Sequence, residues 1–275
     1  MRQAELKELL AAHGLRPQQM FGQNFLVDPA LLATIPTDAG LQAGERVLEV
    51  GPGAGSLTAE LLQHKAKVLA VEIDHGMCEL LRHRFADQAN LELLEADVLA
   101  KKERFHPRVE EWWGEGTPPR LIANLPYAIS GPFLGRLPGR PMLNATLLLQ
   151  KEVAVKAAGA VGSKDYGPLS VRLDLSFHTR VGRKLPPEVF WPRPTIDSAF
   201  LHLEPRPDAP SADVDLRLAE MLRFAFGQRR KRLLGRLSKQ MPAAAQALRE
   251  AGVDEQARAE QVEPALWRQA AEALQ

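Results

Sequence analysis

Apolar and polar positions follow two different periods along the chain. From residue 45 to residue 150, short apolar runs alternate with segments in which apolar residues recur every three or four positions; the runs are RVLEVG, KVLAVEI, LELLEAD, RLIANL and NATLLLQ. The short runs predict buried strands, and the recurring positions predict amphipathic helices. Strands that alternate with helices in this way predict a doubly wound α/β sheet that is parallel at its centre.

The segments on either side of this alternation divide the chain. An amphipathic helix and a loop precede the sheet, and Asp28-Pro29 opens a second helix in the usual order of cap and proline. Two β-like segments around a proline-rich loop predict an antiparallel ending to the sheet. Composition changes at EPRPDAPSADVD, which we interpret as a linker to a helical tail. We therefore expect an α/β domain over residues 1–205, with an N-terminal helical extension, and a small all-helical domain over residues 206–275.

Composition narrows the class of protein but not its function. The 275 residues are 45% hydrophobic and 25% charged, as in ordinary globular proteins. No apolar run approaches membrane-spanning length, and the N-terminal segment lacks the apolar core of a signal peptide. A single cysteine, Cys78, excludes an internal disulfide and is compatible with a reducing compartment. We expect a cytoplasmic protein without membrane contacts, and a monomer, since nothing in the sequence requires a dimer.

The first predicted strand runs into the glycine-rich turn EVGPGAGSLT. Gly51 and Gly53 lie between this strand and the next helix, where a nucleoside ligand needs the backbone to come close. Free N–H groups at a helix start also favour a carboxylate or a phosphate. Taken alone, the turn could also be a tight structural connection.

Two acidic residues end the next two predicted strands. Glu72 lies about twenty residues after the glycines, where a carboxylate would accept both hydroxyls of a ribose. Asp97 is placed to accept a hydrogen bond from an adenine amine. A nicotinamide dinucleotide site would use the same glycines and Glu72, but Ser56 stands where G-x-G-x-x-G requires its last glycine. The spacing therefore favours the methyl donor S-adenosylmethionine.

The fourth strand ends in Asn124-Leu125-Pro126-Tyr127, at the edge where open α/β sheets bind ligands. The amine of adenine is a poor nucleophile, because its lone pair is delocalised into the ring. The Asn124 side-chain oxygen and the Leu125 carbonyl could hold its two hydrogens and direct the lone pair at a methyl group. Pro126 removes a competing N–H, and Tyr127 offers a face for a flipped base. The alternative is an ordinary Asn-Pro turn beside a packed tyrosine.

A basic segment lies in the helical tail. The stretch RFAFGQRRKRLLGRLSK contains no acidic residue, and Arg229, Arg230, Lys231 and Arg232 are adjacent in it. Such a run can be a solvated helix face, but four adjacent cations repel one another unless an anion is near. We favour binding of an RNA phosphate backbone.

Two further features are weaker signals. His75, Cys78 and His83 do not share one helical face, and no fourth ligand is evident, so we expect no metal site. For Trp112 and Trp113, buried packing is a better interpretation than stacking on bases.

The motifs occur in a particular order: FGQNFL, EVGPGAGSLT, VEID, EADVL, NLPY, LQKEVA, YGPLSV, FWPRPTIDSA and FGQRRK. In this order they resemble the ribosomal RNA adenine dimethyltransferases, and the chain looks like the bacterial small-subunit type over nearly its whole length. The resemblance implies a Rossmann-like domain that uses S-adenosylmethionine, followed by a helical domain that binds RNA. It also implies dimethylation of N6 on two adjacent adenines near the 3′ end of 16S ribosomal RNA, in the small ribosomal subunit, with a role in subunit maturation.

The resemblance further implies roles for individual residues. Those expected to contact the methyl donor or line its pocket are Asn24, Leu26, Gly51, Glu72, Asp97 and Asn124. Phe190, which opens FWPRP, is expected to join Tyr127 in gripping the target adenine, with simple packing as the alternative. The chain departs from the family pattern at Ala128, where relatives typically have asparagine, and in having only Arg16 as a basic residue before FGQNFL.

Two other functions stay open. A 23S ribosomal RNA adenine methyltransferase shares these motifs, and a ribosome-assembly or transcription factor could carry a disused methyltransferase site. Disuse should leave gaps at Gly51, Glu72, Asp97 or Asn124, and the sequence has none. We therefore expect an enzyme that acts on 16S ribosomal RNA.

Overall fold

The computed structural model describes residues 1–18, 21–99 and 104–274. In chain order its elements are α1 (Gln3–Ala12), β1 (Phe25–Leu26), α2 (Pro29–Asp38), β2 (Arg46–Val50), α3 (Ser56–Gln63), β3 (Lys67–Glu72), α4 (His75–Arg84), β4 (Leu91–Glu95), α5 (Pro107–Gly114), β5 (Arg120–Asn124), α6 (Ser130–Leu134), β6 (Ala145–Gln150), α7 (Lys151–Ala157), α8 (Pro168–Ser176), β7 (Phe177–Leu185), β8 (Phe190–Trp191), β9 (Ser198–Pro205), α9 (Ala212–Phe226), α10 (Leu234–Gln240), α11 (Pro242–Glu250) and α12 (Pro264–Glu272). Short 3-10 helices cover Tyr127–Ile129, Pro187–Val189 and Ala259–Gln261. Within the described ranges, every helix is too short or too polar to span a lipid bilayer.

The main sheet has the strand order β4-β3-β2-β5-β6-β9-β7 across the described ranges. The strands from β4 to β6 pair in parallel, and β9 pairs antiparallel with β6. This confirms the predicted doubly wound α/β sheet with a parallel centre and an antiparallel ending. The carboxyl ends of β3 and β5 carry Glu72 and Asn124, so both residues reach the same edge of the sheet.

The central strands form because their side chains are apolar on both faces. Val47, Leu69, Ile122 and Leu147 are fully buried between the helices that flank the sheet. Helix α2 begins as predicted: the Asp28 carboxylate accepts a hydrogen bond from the Leu31 N–H at 3.1 Å, with a proline at the first helical position.

The chain folds into two compact units. One comprises residues 1–136, 141–154 and 181–203 and contains most of the sheet. The other comprises residues 137–140, 155–180 and 204–275, and its core surrounds Trp267 and Tyr166, whose hydroxyl donates to the Val262 carbonyl at 2.7 Å. This division differs from the predicted boundary at 205/206, because α8 precedes that boundary yet packs on α9 and α12.

The adjacent tryptophans of α5 are buried, which confirms the packing interpretation. The Trp113 ring meets Phe105 edge-on, with ring centroids 4.7 Å apart. The Arg46 guanidinium lies over Trp112, 4.0 Å from the ring centroid, and donates to the Trp112 carbonyl at 2.6 Å. Both rings are therefore occupied by contacts within the α/β unit.

Candidate active site

A cavity of about 340 Å³ opens where β2, β3, β4 and β5 end, a size within the usual range for a small-molecule site. The sequence-predicted residues that line it are Asn24, Leu26, Gly51, Gly53, Glu72, Asp97, Asn124, Leu125, Pro126 and Tyr127. The structure thus brings together the strand ends, the glycine turn and the loop before β1. All of these residues belong to the α/β unit.

The glycine turn needs its glycines for two local reasons. Gly51 and Gly53 have φ of +69° and +55°, in the left-handed region that side chains rarely adopt. A Cβ at Gly51 would also lie 2.6 Å from Cγ of Pro126, and one at Gly53 would lie 2.6 Å from a ring carbon of Phe25. The turn therefore packs directly on the Asn-Leu-Pro-Tyr segment and on the loop that carries Asn24.

Glu72 is a buried carboxylate of the cavity, with 6% of its surface exposed. Its Oε1 accepts the N–H groups of Ile73 at 2.9 Å and Asp74 at 3.0 Å, and its Oε2 accepts the Gly53 N–H at 3.0 Å. Burial raises the pKa of Glu72, while these backbone bonds oppose the rise. A carboxylate has about four acceptor positions, so one remains on Oε2 for a ligand hydroxyl.

Glu49 is a cavity residue that the sequence analysis missed. It lies in β2, is fully buried, and accepts the Thr58 hydroxyl at 2.7 Å. Burial raises the pKa of Glu49 to about 8, and the nearby Glu72 charge adds to the rise. The signal was present in the sequence as a single carboxyl group inside the apolar run RVLEV.

Asp97 and Ile73 form the more exposed part of the lining. The Asp97 carboxylate accepts the Leu99 N–H at 2.8 Å, which fixes it in a turn after β4. Ile73 is 50% exposed, unusual for an isoleucine, and presents apolar surface to the cavity. Ile73 was also missed, although it directly follows the predicted Glu72.

Asn124 has a fixed amide orientation. Its Nδ2 donates to the Asn24 carbonyl at 3.0 Å, so its Oδ1 is turned to the other side as an acceptor. Asn24 is held in turn, because its side chain donates to the Gly22 carbonyl at 3.1 Å. Both asparagines line the cavity, and the bond to Asn24 leaves Oδ1 as the acceptor end of the Asn124 amide.

Tyr127 opens a 3-10 helix immediately after Pro126. Its hydroxyl shares a hydrogen bond of 2.6 Å with the buried Ser198 hydroxyl of β9. Burial raises the pKa of Tyr127, so its ring stays neutral in the physiological range. The bond to Ser198 fixes one end of the ring while its body lines the cavity.

Phe190 is buried in the α/β unit. It is 3% exposed, packs in the core of the α/β unit, and does not belong to the cavity wall. It pairs with Leu26 in the short antiparallel ladder of β1 and β8. Phe190 is therefore fixed beside β1, the strand that carries Leu26, and its contact with the target adenine stays a prediction.

The family model described as ribosomal RNA adenine dimethylase matches residues 14–275. The chain belongs to this family. The small-subunit ribosomal RNA methyltransferase A of Magnetococcus marinus is 40% identical over 258 residues, which cover 93% of this chain and 91% of that protein. The resemblance seen in the motifs is confirmed, and the chain is an S-adenosylmethionine-dependent ribosomal RNA adenine dimethyltransferase.

Solved structures agree with this membership. The 23S rRNA methyltransferase ErmE is 28% identical, with a TM-score of 0.66 over 91% of this chain and 99% of that chain. A dimethyladenosine transferase from Plasmodium falciparum is 23% identical, with a TM-score of 0.71 over 90% of this chain and 95% of that chain, and shows the fold alone. The cavity fits the methyl donor of this family, because a buried carboxylate, an exposed carboxylate and apolar Ile73 face one space.

In the helical unit of this dimethylase, the basic segment borders an open cleft of about 840 Å³. The residues that line it are Arg230, Lys231, Arg232, Gly235, Arg236, Lys239, Gln256 and Arg258. Arg229 does not line the cleft. Its guanidinium donates to the carbonyls of Ser163 at 2.6 Å and Lys164 at 2.8 Å, and lies 3.6 Å from the Glu260 carboxylate. Arg229 thus ties segments of the helical unit together, and the phosphate contact of its guanidinium stays a prediction.

Among the described residues, His75 and Cys78 of α4 lie in surroundings that do not form a metal site. His75 pairs with the Glu95 carboxylate at 2.7 Å, and Cys78 is buried with a raised pKa, chiefly because of burial. In the part of the chain that the structure describes, no three His, Cys, Asp or Glu side chains are grouped to hold a metal ion.

Proposed function

We propose that this chain dimethylates N6 of two adjacent adenines near the 3′ end of 16S ribosomal RNA, within the small ribosomal subunit in the cytoplasm. Support for this RNA comes from relatives that are named for the small-subunit RNA and align over more than nine-tenths of the chain. The observation that carries the proposal is the orientation of the Asn124 amide, whose oxygen faces away from Asn24 in the wall of the cavity. Occupation of assembling subunits would contribute to their maturation, and the chain acts as a monomer.

The methyl donor is assigned to the carboxylate side of the cavity. The remaining acceptor position of Glu72 takes a ribose hydroxyl, and Asp97 takes the amine of the donor's adenine. If Glu72 binds both ribose hydroxyls, the Gly53 N–H must give up its bond to Oε2. Asn24, Leu26 and the glycine turn complete the wall. Bound S-adenosylmethionine supplies a methyl group activated by its sulfonium sulfur.

The acceptor is assigned to the Asn-Leu-Pro-Tyr segment. The Asn124 Oδ1 and the Leu125 carbonyl each accept one hydrogen bond from the adenine amine, which directs its lone pair out of the ring plane. No side-chain base is needed to ionise the amine before transfer, because the nitrogen becomes a cation when it bonds the methyl group and then releases one proton to water. Because the Asn124 amide is held by the Asn24 carbonyl, the acceptor oxygen is in place before the base arrives.

The flipped base is assigned to Tyr127, whose ring lines the cavity and is anchored through Ser198. Stacking on such a ring contributes about 1–3 kcal/mol per base. Phe190 pairs with Leu26 in the ladder of β1 and β8, and the contact of its ring with the base stays a prediction.

The RNA backbone is assigned to the basic cleft of the helical unit. Arg230, Lys231 and Arg232 line it, and Lys239 and Arg258 add two further cations. Phosphate contacts of this kind position an RNA without reading its sequence.

The test is methyl transfer from labelled S-adenosylmethionine to undermethylated small subunits, with products identified by nucleoside mass spectrometry. We expect N6,N6-dimethyladenosine from the wild type and a rate lower by about a hundredfold in Asn124→Ala, since one fixed acceptor of the transition state is lost. Asn90→Ala is the matched control, because its Nδ2 also donates to a backbone carbonyl, that of Ala66 at 2.6 Å, outside the cavity. An Asn124→Ala variant as fast as Asn90→Ala would contradict the assigned role.

The 28% identity to a 23S enzyme makes 23S ribosomal RNA the second candidate substrate. The same assay on 23S RNA separates the two. Product on 23S RNA and none on small subunits would select the second substrate, and tight RNA binding with no product on either RNA would indicate an assembly factor.

A further inference from the structure

Asp74 connects the start of α4 to the loop that precedes β1. It is 2% exposed, and its two carboxylate oxygens have separate tasks. Oδ1 caps α4 by accepting the N–H groups of Gly76 at 2.9 Å and Met77 at 3.3 Å. Oδ2 accepts the side-chain amide of Gln23 at 2.8 Å and that of Gln18 at 3.2 Å. The second task is not required by the helix.

Gln23 is held at both ends of its amide. Its Nε2 donates to Asp74, and its Oε1 accepts the backbone N–H of Gln18 at 2.8 Å. The amide therefore cannot flip without losing both bonds. The next residue in the chain is Asn24, whose carbonyl accepts the Asn124 amide at 3.0 Å.

The same aspartate also contacts Glu72, which lines the cavity. Its backbone N–H donates to Oε1 of Glu72 at 3.0 Å. A continuous path of hydrogen bonds and one peptide unit thus runs from Glu72 through Asp74 and Gln23 to Asn24 and Asn124.

We propose that Asp74 and Gln23 are positioning residues for methyl transfer, which fix the Asn24 carbonyl and through it the acceptor oxygen of Asn124. This inference rests on the proposed function of Asn124. Neither residue touches a reacting atom, so their effect falls on the rate of transfer at a correctly folded site. A displacement of about 1 Å in a reacting group can lower a rate about a hundredfold.

The chain offers a reciprocal exchange as a test. In Asp74→Asn the side-chain oxygen still caps α4, but an NH₂ group now faces the NH₂ group of Gln23. In Gln23→Glu two carboxylates face each other in a buried place. In the double variant, the NH₂ group introduced at position 74 donates to the carboxylate introduced at position 23, whose other oxygen still accepts the Gln18 N–H. The bond between positions 74 and 23 is thereby restored with its direction reversed, and the longer Gln18 bond of 3.2 Å is the one contact that the exchange does not restore.

The measurement is the single-turnover rate of adenine methylation with saturating S-adenosylmethionine. It is expressed per site that binds S-adenosylhomocysteine in a calorimetric titration, so that unfolded protein does not count. We expect a decrease of about tenfold to a hundredfold in each single variant and recovery to within about threefold in the double variant. Asp28→Asn is the matched control and should keep the wild-type rate, because Asp28 caps α2 through the Leu31 N–H and takes no part in the path to Asn124.

Two results would overturn the inference. One is a wild-type rate per site in both single variants; the other is a double variant as slow as the single ones. If Asp74→Asn does not fold, Gln23→Glu and Gln23→Ala decide on the same criterion of rate per site. Failure of the proposed function is distinct, since the wild type itself would then form no methylated adenine.

Discussion

Replacing Glu49 with glutamine tests whether a buried carboxyl group in β2 makes the stability of this enzyme depend on pH. Burial raises the pKa of Glu49 from an ordinary 4.5 to about 8 in the folded protein. Between about pH 4.5 and about pH 8, the Glu49 carboxyl group therefore keeps its proton in the folded state and has released it in the unfolded state. Stability conferred by this group is complete below about pH 4.5 and is lost as the pH rises through about 8. Glutamine keeps the shape and can still accept the Thr58 hydroxyl, but it does not titrate.

The size of the effect follows from that pKa. At about 1.4 kcal/mol for each pH unit of displacement, the full loss is about 5 kcal/mol. Between about pH 5.5 and about pH 9 the wild type should lose about 3 kcal/mol through Glu49. The Glu72 charge is one cause of the raised pKa, so the difference between wild type and variant includes the coupling of the two carboxyl groups.

The assay is urea unfolding at several pH values, followed by tryptophan fluorescence without the methyl donor. We expect the free energy of unfolding of Glu49→Gln to fall less steeply with pH than that of the wild type. The stability of the variant relative to the wild type should therefore increase towards pH 9. Glu79→Gln is the control, since Glu79 is exposed on the next helix after β3 and its charge remains hydrated. If the free energy of unfolding depends on pH in the same way in the wild type and in Glu49→Gln, the reasoning is refuted.

Two further predictions concern the two units separately. Gly53→Ala places a Cβ in a left-handed turn and against the ring of Phe25. We expect a loss of about 2 kcal/mol in the free energy of unfolding and weaker binding of S-adenosylhomocysteine by calorimetry. Unchanged stability together with unchanged binding would contradict the packing argument. Arg230→Ala should lower RNA affinity and reduce the salt slope of binding by about one, whereas Arg229→Ala should mainly lower the thermal midpoint of the protein. If Arg229→Ala and Arg230→Ala lose RNA affinity equally and both keep the thermal midpoint of the wild type, this distinction is contradicted.

Much of the cavity follows from the sequence because strand ends are easy to locate. Glu72, Asp97 and Asn124 each close an apolar run, and parallel strands bring their carboxyl ends to one edge. The same patterns predict the order of elements and the antiparallel last strands. These features depend on local periodicity and on a topological rule.

The features that escaped prediction depend on partners distant in the chain. The burial of Phe190 accompanies a two-residue pairing with β1, and a segment of two residues is too short to show a periodic pattern in the sequence. In the sequence, Arg229 cannot be distinguished from the other cations of the basic run. Its bonds to the carbonyls of Ser163 and Lys164 are visible only in the folded chain. Similarly, α8 belongs to the helical unit because of its packing on α9 and α12, although a strand of the sheet follows it in sequence.

The close approach of Gly51 and Pro126 has a consequence for redesign. The two residues share one small volume, since a Cβ at position 51 would meet the proline ring at 2.6 Å. A side chain at position 51 is therefore compatible only with loss of that ring, and the two positions should vary as a pair. Anyone who replaces the turn after β2 by one with a side chain at position 51 must also replace Pro126, whereas a new base-accepting turn without that proline is compatible with Gly51.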